Sequence, residues 1–187
     1  MPHECIVIGV SAGGFRALSA ILPKLPERCS VAVLIVQHTK ADAGDFLARH
    51  LDGICSIRVK HAEDKETIAA GTVYLAPPGY HLLVERDRTL SLSVDEPVHF
   101  ARPSIDVLFE SAAPVYRDRL IGMILTGAGT DGCIGLKAVK EHGGLTIVQD
   151  PKTAEVDFLP RRAVQTVTVD YILPLEAIGG FLARMVP

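Results

Sequence analysis

The chain has no tryptophan, only 5% aromatic residues, and four cysteines that nowhere form a Cys-x-x-Cys pair. Each scarcity closes off a class of function. So few aromatics leave no stacking platform for single-stranded nucleic acid. The basic residues are scattered over a chain of net charge −3 and pI near 6.1, so no nucleic-acid footprint is present either. Cys5, Cys29, Cys55 and Cys133 have the spacing of neither a zinc ribbon nor a disulfide framework, which points to reduced thiols. No apolar run approaches the ~18 residues of a membrane span, so membrane insertion is not expected. Met1-Pro-His-Glu carries no basic segment ahead of a signal-like apolar stretch, and the expected location is the cytoplasm. His3, His50, His61, His99 and His142 lack metal-ligand spacing with carboxylates or cysteines, so neither a metal nor another cofactor is predicted.

What is present is enough for one domain. Of 187 residues 48% are apolar, and a chain of this length can remove roughly 70% of its unfolded surface from water. Strand-like runs at Cys5–Val10, Val31–Val36, Thr72–Ala76, Leu120–Thr126 and Leu145–Gln149 alternate with helical periodicity near Phe15–Leu22, Ala43–Leu51, Ile105–Val115 and Ile134–His142. That alternation predicts a doubly wound, mostly parallel α/β sheet with helices on both faces. Between Ile57 and Val94, short β-type runs at 57–61, 72–76, 81–85 and 89–94 are broken by Pro77-Pro-Gly79 and Asp87-Arg88, which predicts an antiparallel β-hairpin excursion beside the main sheet. Ser104 is placed to cap the helix beginning at Ile105, and Pro174 opens a last amphipathic segment, Leu175–Met185. There is no repeat, linker or low-complexity stretch.

In an open α/β sheet, ligands bind beyond the carboxyl ends of the strands. Three chemical groups fall there: Ser11 after the first strand, His38 (with Gln37) after the second, and Asp131 in Thr126-Gly-Ala-Gly-Thr-Asp131 after a later one. A serine hydroxyl is a weak nucleophile until a base takes its proton, and a carboxylate fixes the imidazole tautomer and stabilises its charged form. Adjacent strands lie about 4.8 Å apart, so side chains at neighbouring strand ends can meet. Ser11, His38 and Asp131 are therefore assigned as nucleophile, base and orienting carboxylate. Backbone N–H groups of Ala12 and Gly13, those of the Gly127-Ala128-Gly129 turn, and the Gln37 amide are candidate oxyanion donors. Simpler roles stand beside these. The glycine turn also suits phosphate, Ser11 can cap a helix, and Asp131 can cap the helix over 134–142. Cys133 is expected to pack rather than react. Arg102 is a candidate substrate contact, with Ser104 and Asp106 at a helix start and His81 lining a pocket or supporting it.

Together these segments resemble the catalytic domain of the chemotaxis protein-glutamate methylesterase family along nearly the whole chain. Val7-Ile-Gly-Val-Ser-Ala-Gly-Gly14 is similar to its serine turn, Val36-Gln-His38 to its histidine segment, and Leu75-Ala-Pro-Pro-Gly-Tyr-His-Leu-Leu-Val84 to its hairpin. Arg102-Pro-Ser-Ile-Asp-Val-Leu-Phe109 and Gly122-Met-Ile-Leu-Thr-Gly-Ala-Gly-Thr-Asp-Gly132 resemble two later signatures. The resemblance implies hydrolysis of glutamyl methyl esters on the cytoplasmic helices of methyl-accepting chemoreceptors, with release of methanol. In many members it also implies deamidation of receptor glutamines. Ser11, His38 and Asp131 match the family's catalytic positions. The chain departs from the pattern at Ala12, where threonine is usual, at Ala128, where methionine is usual, and at Glu155 and Asp157 in a segment that is usually apolar. With the first strand starting at residue 4 or 5, residues 1–187 are expected to form the catalytic domain alone, without the family's receiver domain. The competing reading is a non-catalytic signalling or nucleotide-binding module that retains the fold. A nucleotide site calls for an acidic ribose partner after the second strand, where this chain has Gln37-His38.

Overall fold

Every residue of Cys5–Val10 (β1) is buried, because this strand is the middle one of seven and helices cover both of its faces. The structure is a computed structural model and describes residues 2–186. In chain order the remaining elements are α1 (Gly14–Ile21), β2 (Ala32–Gln37), α2 (Phe46–Ile54), β3 (Arg58–His61), β4 (Thr72–Leu75), β5 (His81–Val84) and β6 (Leu90–Ser93). They continue with α3 (Ile105–Tyr116), β7 (Leu120–Ile124), α4 (Cys133–Glu141), β8 (Leu145–Gln149), α5 (Phe158–Thr166), β9 (Tyr171–Leu173) and α6 (Leu175–Met185).

The main sheet runs β3-β4-β2-β1-β7-β8-β9 and all its pairings are parallel. Successive side chains of a strand point to opposite faces, and β1 divides its residues accordingly. Cys5 and Val7 join one core with Leu108, Phe109, Leu136, Leu159 and Ala163 of α3, α4 and α5. Ile6, Ile8 and Val10 join another with Leu18, Leu51, Ile178 and Leu182 of α1, α2 and α6. Each fully buried aliphatic side chain of this kind contributes about 1.5–3 kcal/mol relative to exposure.

The doubly wound parallel sheet expected from the sequence is present, and the antiparallel excursion is smaller than expected. Among the strands of the described residues, β5 and β6 are the pair that runs antiparallel, in the register His81↔Ser93 to Val84↔Leu90. The run at 72–75 is a strand of the main sheet, as its place in the α/β alternation predicts, and the run at 58–61 pairs parallel with it as the sheet's edge, because the ten residues between them give the chain room to return in the same direction. Two elements escaped the sequence reading. Pro160 conceals α5, but it lies in the helix's first turn, where no N–H is needed. β9 is a three-residue edge strand with little burial to mark it. The helix expected over 43–51 begins three residues later, after a turn closed by a bond from Ala43 N–H to Lys40 O.

The sheet reverses its winding at β1. The chain proceeds from β1 outward to β2, then comes back to lay β7 on the other side of β1. The crevice above this switch point is where an α/β sheet of this type binds its ligand.

Candidate active site

The β1–β2 register, Val10↔Gln37, continues one residue beyond both strands, with His38 N–H donating to Val10 O at 3.0 Å. Ser11 and His38 are thereby placed side by side. On the other flank, Ser11 N–H donates to Thr126 O at 3.0 Å, which fixes the serine against the start of the loop carrying Asp131. The side chains then meet: His38 Nδ1 lies 3.2 Å from Ser11 Oγ, and His38 Nε2 lies 2.7 Å from Asp131 Oδ2. With the proton on Nε2, donated to the carboxylate, Nδ1 is free to accept from the serine.

Asp131 is 2% exposed and accepts four hydrogen bonds. Oδ2 receives His38 Nε2 and Ile105 N–H (2.6 Å), while Oδ1 receives Ser104 Oγ (2.7 Å) and Asp106 N–H (3.1 Å). Burial acts to raise its pKa, but hydrogen bonds from His38, Ser104, Ile105 and Asp106 outweigh it and hold the carboxyl below the ordinary aspartate range. The helix it caps is α3, not the α4 segment that follows it in sequence. α4 has Gly132 at its N-cap and so no side-chain cap there, and its Gly135 N–H donates to Asp106 Oδ1 at 2.6 Å. Each helix N-terminus is thus served by a carboxylate next to the other helix. This arrangement neutralises two converging positive dipole ends. Asp106 titrates differently from Asp131: burial, with the Asp131 charge alongside, pushes it up to about 6.

Further support surrounds these groups. His81, 1% exposed, accepts from Ser104 N–H at Nδ1 (3.1 Å) and donates from Nε2 to Glu96 O (3.2 Å), which locks Ser104 behind Asp131. Ser104 also accepts from Val107 N–H, as a helix cap does. The Thr126 hydroxyl, which the sequence reading did not single out, lies 2.8 Å from Ala12 O and 3.2 Å from Val156 O and accepts from Val156 N–H at 2.9 Å. One buried oxygen therefore ties the Ser11 turn to the segment leading into α5. No sequence pattern marks this role, because its partners lie 114 and 30 residues away.

Among the candidate oxyanion donors, the N–H groups of Ala12 and Gly13 have no partner among the described residues and stand at the start of α1. Gly13 has φ 81, a left-handed conformation that a side chain would strain, and a Cβ there would lie 2.9 Å from Thr126 Oγ1. In the other turn, Gly127 N–H is already bonded to Val156 O, which leaves Ala128 and Gly129 as its free donors beside Ser11. Gln37 departs from expectation. Its amide nitrogen donates to Ser11 O and His38 O, both at 2.9 Å, so it clamps the two strand ends and has no free N–H for an oxyanion.

Two depressions flank Ser11. One, of about 890 Å³, is lined by Ser11, His38, Arg102, Ala128 and Asp131 among others; the second, of about 640 Å³, runs past Ala12, Phe15, Leu47 and Glu155. Arg102 is turned partly inward, with Nη1 donating to Val94 O (2.7 Å) and Asp95 O (3.0 Å). Burial, followed by the nearby Asp106 charge, pushes the Cys133 thiol up to about 11, the behaviour of a packing cysteine. No cluster of three potential metal ligands exists among the described residues, and none of their helices is long and apolar enough to cross a membrane.

A Ser-His-Asp hydrogen-bond chain over the carboxyl ends of parallel strands, with free backbone N–H groups beside the serine, is the arrangement of a serine hydrolase on a doubly wound α/β sheet. The family model described as CheB methylesterase matches residues 6–182, and the chain belongs to that family. A Leptospira interrogans relative is 54% identical over 185 residues, spanning 99% of this chain and 96% of its own length. The protein-glutamate methylesterase/protein-glutamine glutaminase of Symbiobacterium thermophilum is 39% identical across all of this chain, which spans 51% of that relative. The crystal structure of the Thermotoga maritima CheB methylesterase catalytic domain matches with a TM-score of 0.94 at 34% identity, with both chains covered completely.

Proposed function

We propose that this protein hydrolyses glutamyl methyl esters on chemoreceptors through an acyl-enzyme on Ser11. The observation that carries this reading is the continuous hydrogen-bond chain from Ser11 Oγ through His38 to Asp131. Ser11 Oγ attacks the ester carbonyl carbon while His38 Nδ1 takes its proton. The carbonyl oxygen gains the negative charge and is met by N–H groups of Ala12, Gly13, Ala128 or Gly129; donors of this kind are worth about 3 kcal/mol each in a transition state. Collapse of the tetrahedral intermediate breaks the bond to the methoxy oxygen, which leaves as methanol with the proton from His38. Water then attacks the acyl-enzyme, giving its proton to the same nitrogen, and Ser11 Oγ departs as its hydroxyl, leaving a glutamate carboxylate. Asp131, kept ionised by its four donors, holds the ring in the required tautomer and stabilises the imidazolium.

The same steps serve a γ-carboxamide, with ammonia leaving in place of methanol, and the relatives' names carry both activities. Gln37 holds Ser11 and His38 in register, and Arg102 shapes the cavity wall opposite. The partner is the cytoplasmic, ester-bearing helix of a methyl-accepting receptor, which places the enzyme in the cytoplasm, and residues 1–187 act as one catalytic unit. The hydrogen-bonded triad and the absence of an acidic residue at Gln37-His38 favour this over a nucleotide-binding module. The test is methanol release from methyl-labelled receptor fragments. Wild type is expected to release it, and Ser11→Ala to be slower by at least about 10³-fold; equal rates would remove Ser11 from the reaction.

A further inference from the structure

Beside the triad, the chain makes a turn that its residues resist. Val98 N–H donates to Ala101 O at 3.1 Å and Ala101 N–H to Val98 O at 2.9 Å, closing a two-residue hairpin through His99 (φ 49) and Phe100 (φ 63). Two consecutive left-handed residues define a turn that favours Asn-Gly, and a bulky aromatic there is strained. Strain of this sort collects where function requires a particular geometry. The turn also lines the larger cavity together with Ser11, His38 and Asp131.

Polar groups flank the turn on both sides. His99 Nε2 lies 3.4 Å from Asp106 Oδ2, and the backbone N–H of Asp106 is bonded to Asp131. Next to the turn, Arg102 Nη1 holds the carbonyls of Val94 and Asp95. What these contacts present is the Phe100 ring, fully exposed at 104% of the reference area. A ring with no contact in its own core returns nothing to the folded chain for the strain of holding it there.

We propose that Phe100 is a specificity-determining contact that buries its ring against apolar side chains next to the ester-bearing glutamate of the receptor segment. This rests on the methylesterase reading. Phe100 takes no part in bond cleavage, so its effect belongs to KM. Burying a phenylalanine on binding corresponds to roughly tenfold or more in affinity.

The test compares wild type, Phe100→Gly and Phe100→Tyr on a methylated receptor fragment and on a small soluble aryl ester. For Phe100→Gly, KM on the receptor is expected to rise roughly tenfold with kcat within about twofold. The ratio of receptor to small-ester kcat/KM then falls by about the same factor. Glycine accepts the left-handed backbone, so the variant is also expected to melt a few degrees higher. Phe100→Tyr, which keeps the ring, should restore most of the ratio. An unchanged ratio, or a fall carried by kcat on both substrates, overturns the proposal. If wild type cleaves the aryl ester but releases no methanol from receptor, the methylesterase reading fails and this proposal with it. If wild type and Phe100→Gly release methanol equally well, only the proposal about Phe100 fails.

Discussion

Asp131 and Asp106 lie side by side yet are driven in opposite directions, and the difference comes from what donates to each. Asp131 has four donors, whereas among the described residues Asp106 Oδ2 accepts no hydrogen bond, with His99 Nε2 3.4 Å away, and Asp106 feels the charge of Asp131. The raised value has a consequence for stability. Asp106 binds its proton more tightly folded than unfolded, so its contribution to stability is full below the ordinary 3.8 and is lost as pH rises through about 6. Asp131, with a lowered value, runs the other way and is present in both proteins compared. Asp106→Asn removes the ionisation while its amide oxygen can still accept from Gly135 N–H. Relative to wild type, the variant should gain on the order of 1–2 kcal/mol between pH 4 and pH 7. Urea unfolding at the two pH values measures this; a difference between the proteins that does not change with pH contradicts it. At this scale the triad residues were legible in the sequence because Ser11 and His38 directly follow buried strands and Asp131 lies in the glycine-rich loop that follows another. The cap exchange between α3 and α4 was not legible. Asp131 precedes α4 in sequence, and only the packing of α3 against α4 reveals which helix it serves.

At the scale of elements, the sequence marked strands with two covered faces most clearly. β1 and β7 are apolar throughout and β2 is apolar up to its closing Gln37, while β8 keeps Ile147 and Val148 between the buried polar Thr146 and Gln149, since both faces of these strands meet helices. Edge elements were harder to read. β3 and β4 are short and lie near turn residues, and nothing local distinguishes a parallel edge from a hairpin arm. Side-chain bonds help hold the connections above the switch point, and Thr126 is the sharpest case. Thr126→Val preserves the shape but leaves Val156 N–H without its acceptor, at a cost of about 1–3 kcal/mol for an unsatisfied buried group. It also frees Ala12 O from its tether beside the candidate oxyanion donors. The expected result is a lower midpoint in urea and a reduced kcat on both receptor and aryl ester. Wild-type stability and turnover would mean that the hydroxyl does not hold the nucleophile turn.

Across the whole molecule, the fold turns separation in sequence into contact. Ser11, His38 and Asp131 are 27 and 93 residues apart along the chain and hydrogen-bonded in space, because β2 and β7 flank β1 in a parallel sheet. A histidine base must be neutral to act, so protonating it stops the reaction. Hydrolysis of the aryl ester should therefore fall on acidification; a rate independent of pH would count against His38 as base. The central claim is that this geometry makes the Ser11 hydroxyl a nucleophile. Its most direct measurement is intact-protein and peptide mass spectrometry after treatment with a fluorophosphonate, which captures activated serines covalently. The account predicts one adduct per chain, located on Ser11, absent in Ser11→Ala and formed much more slowly in His38→Ala. An enzyme that releases methanol from receptor while Ser11 stays unmodified, or that is labelled at another residue, would contradict it.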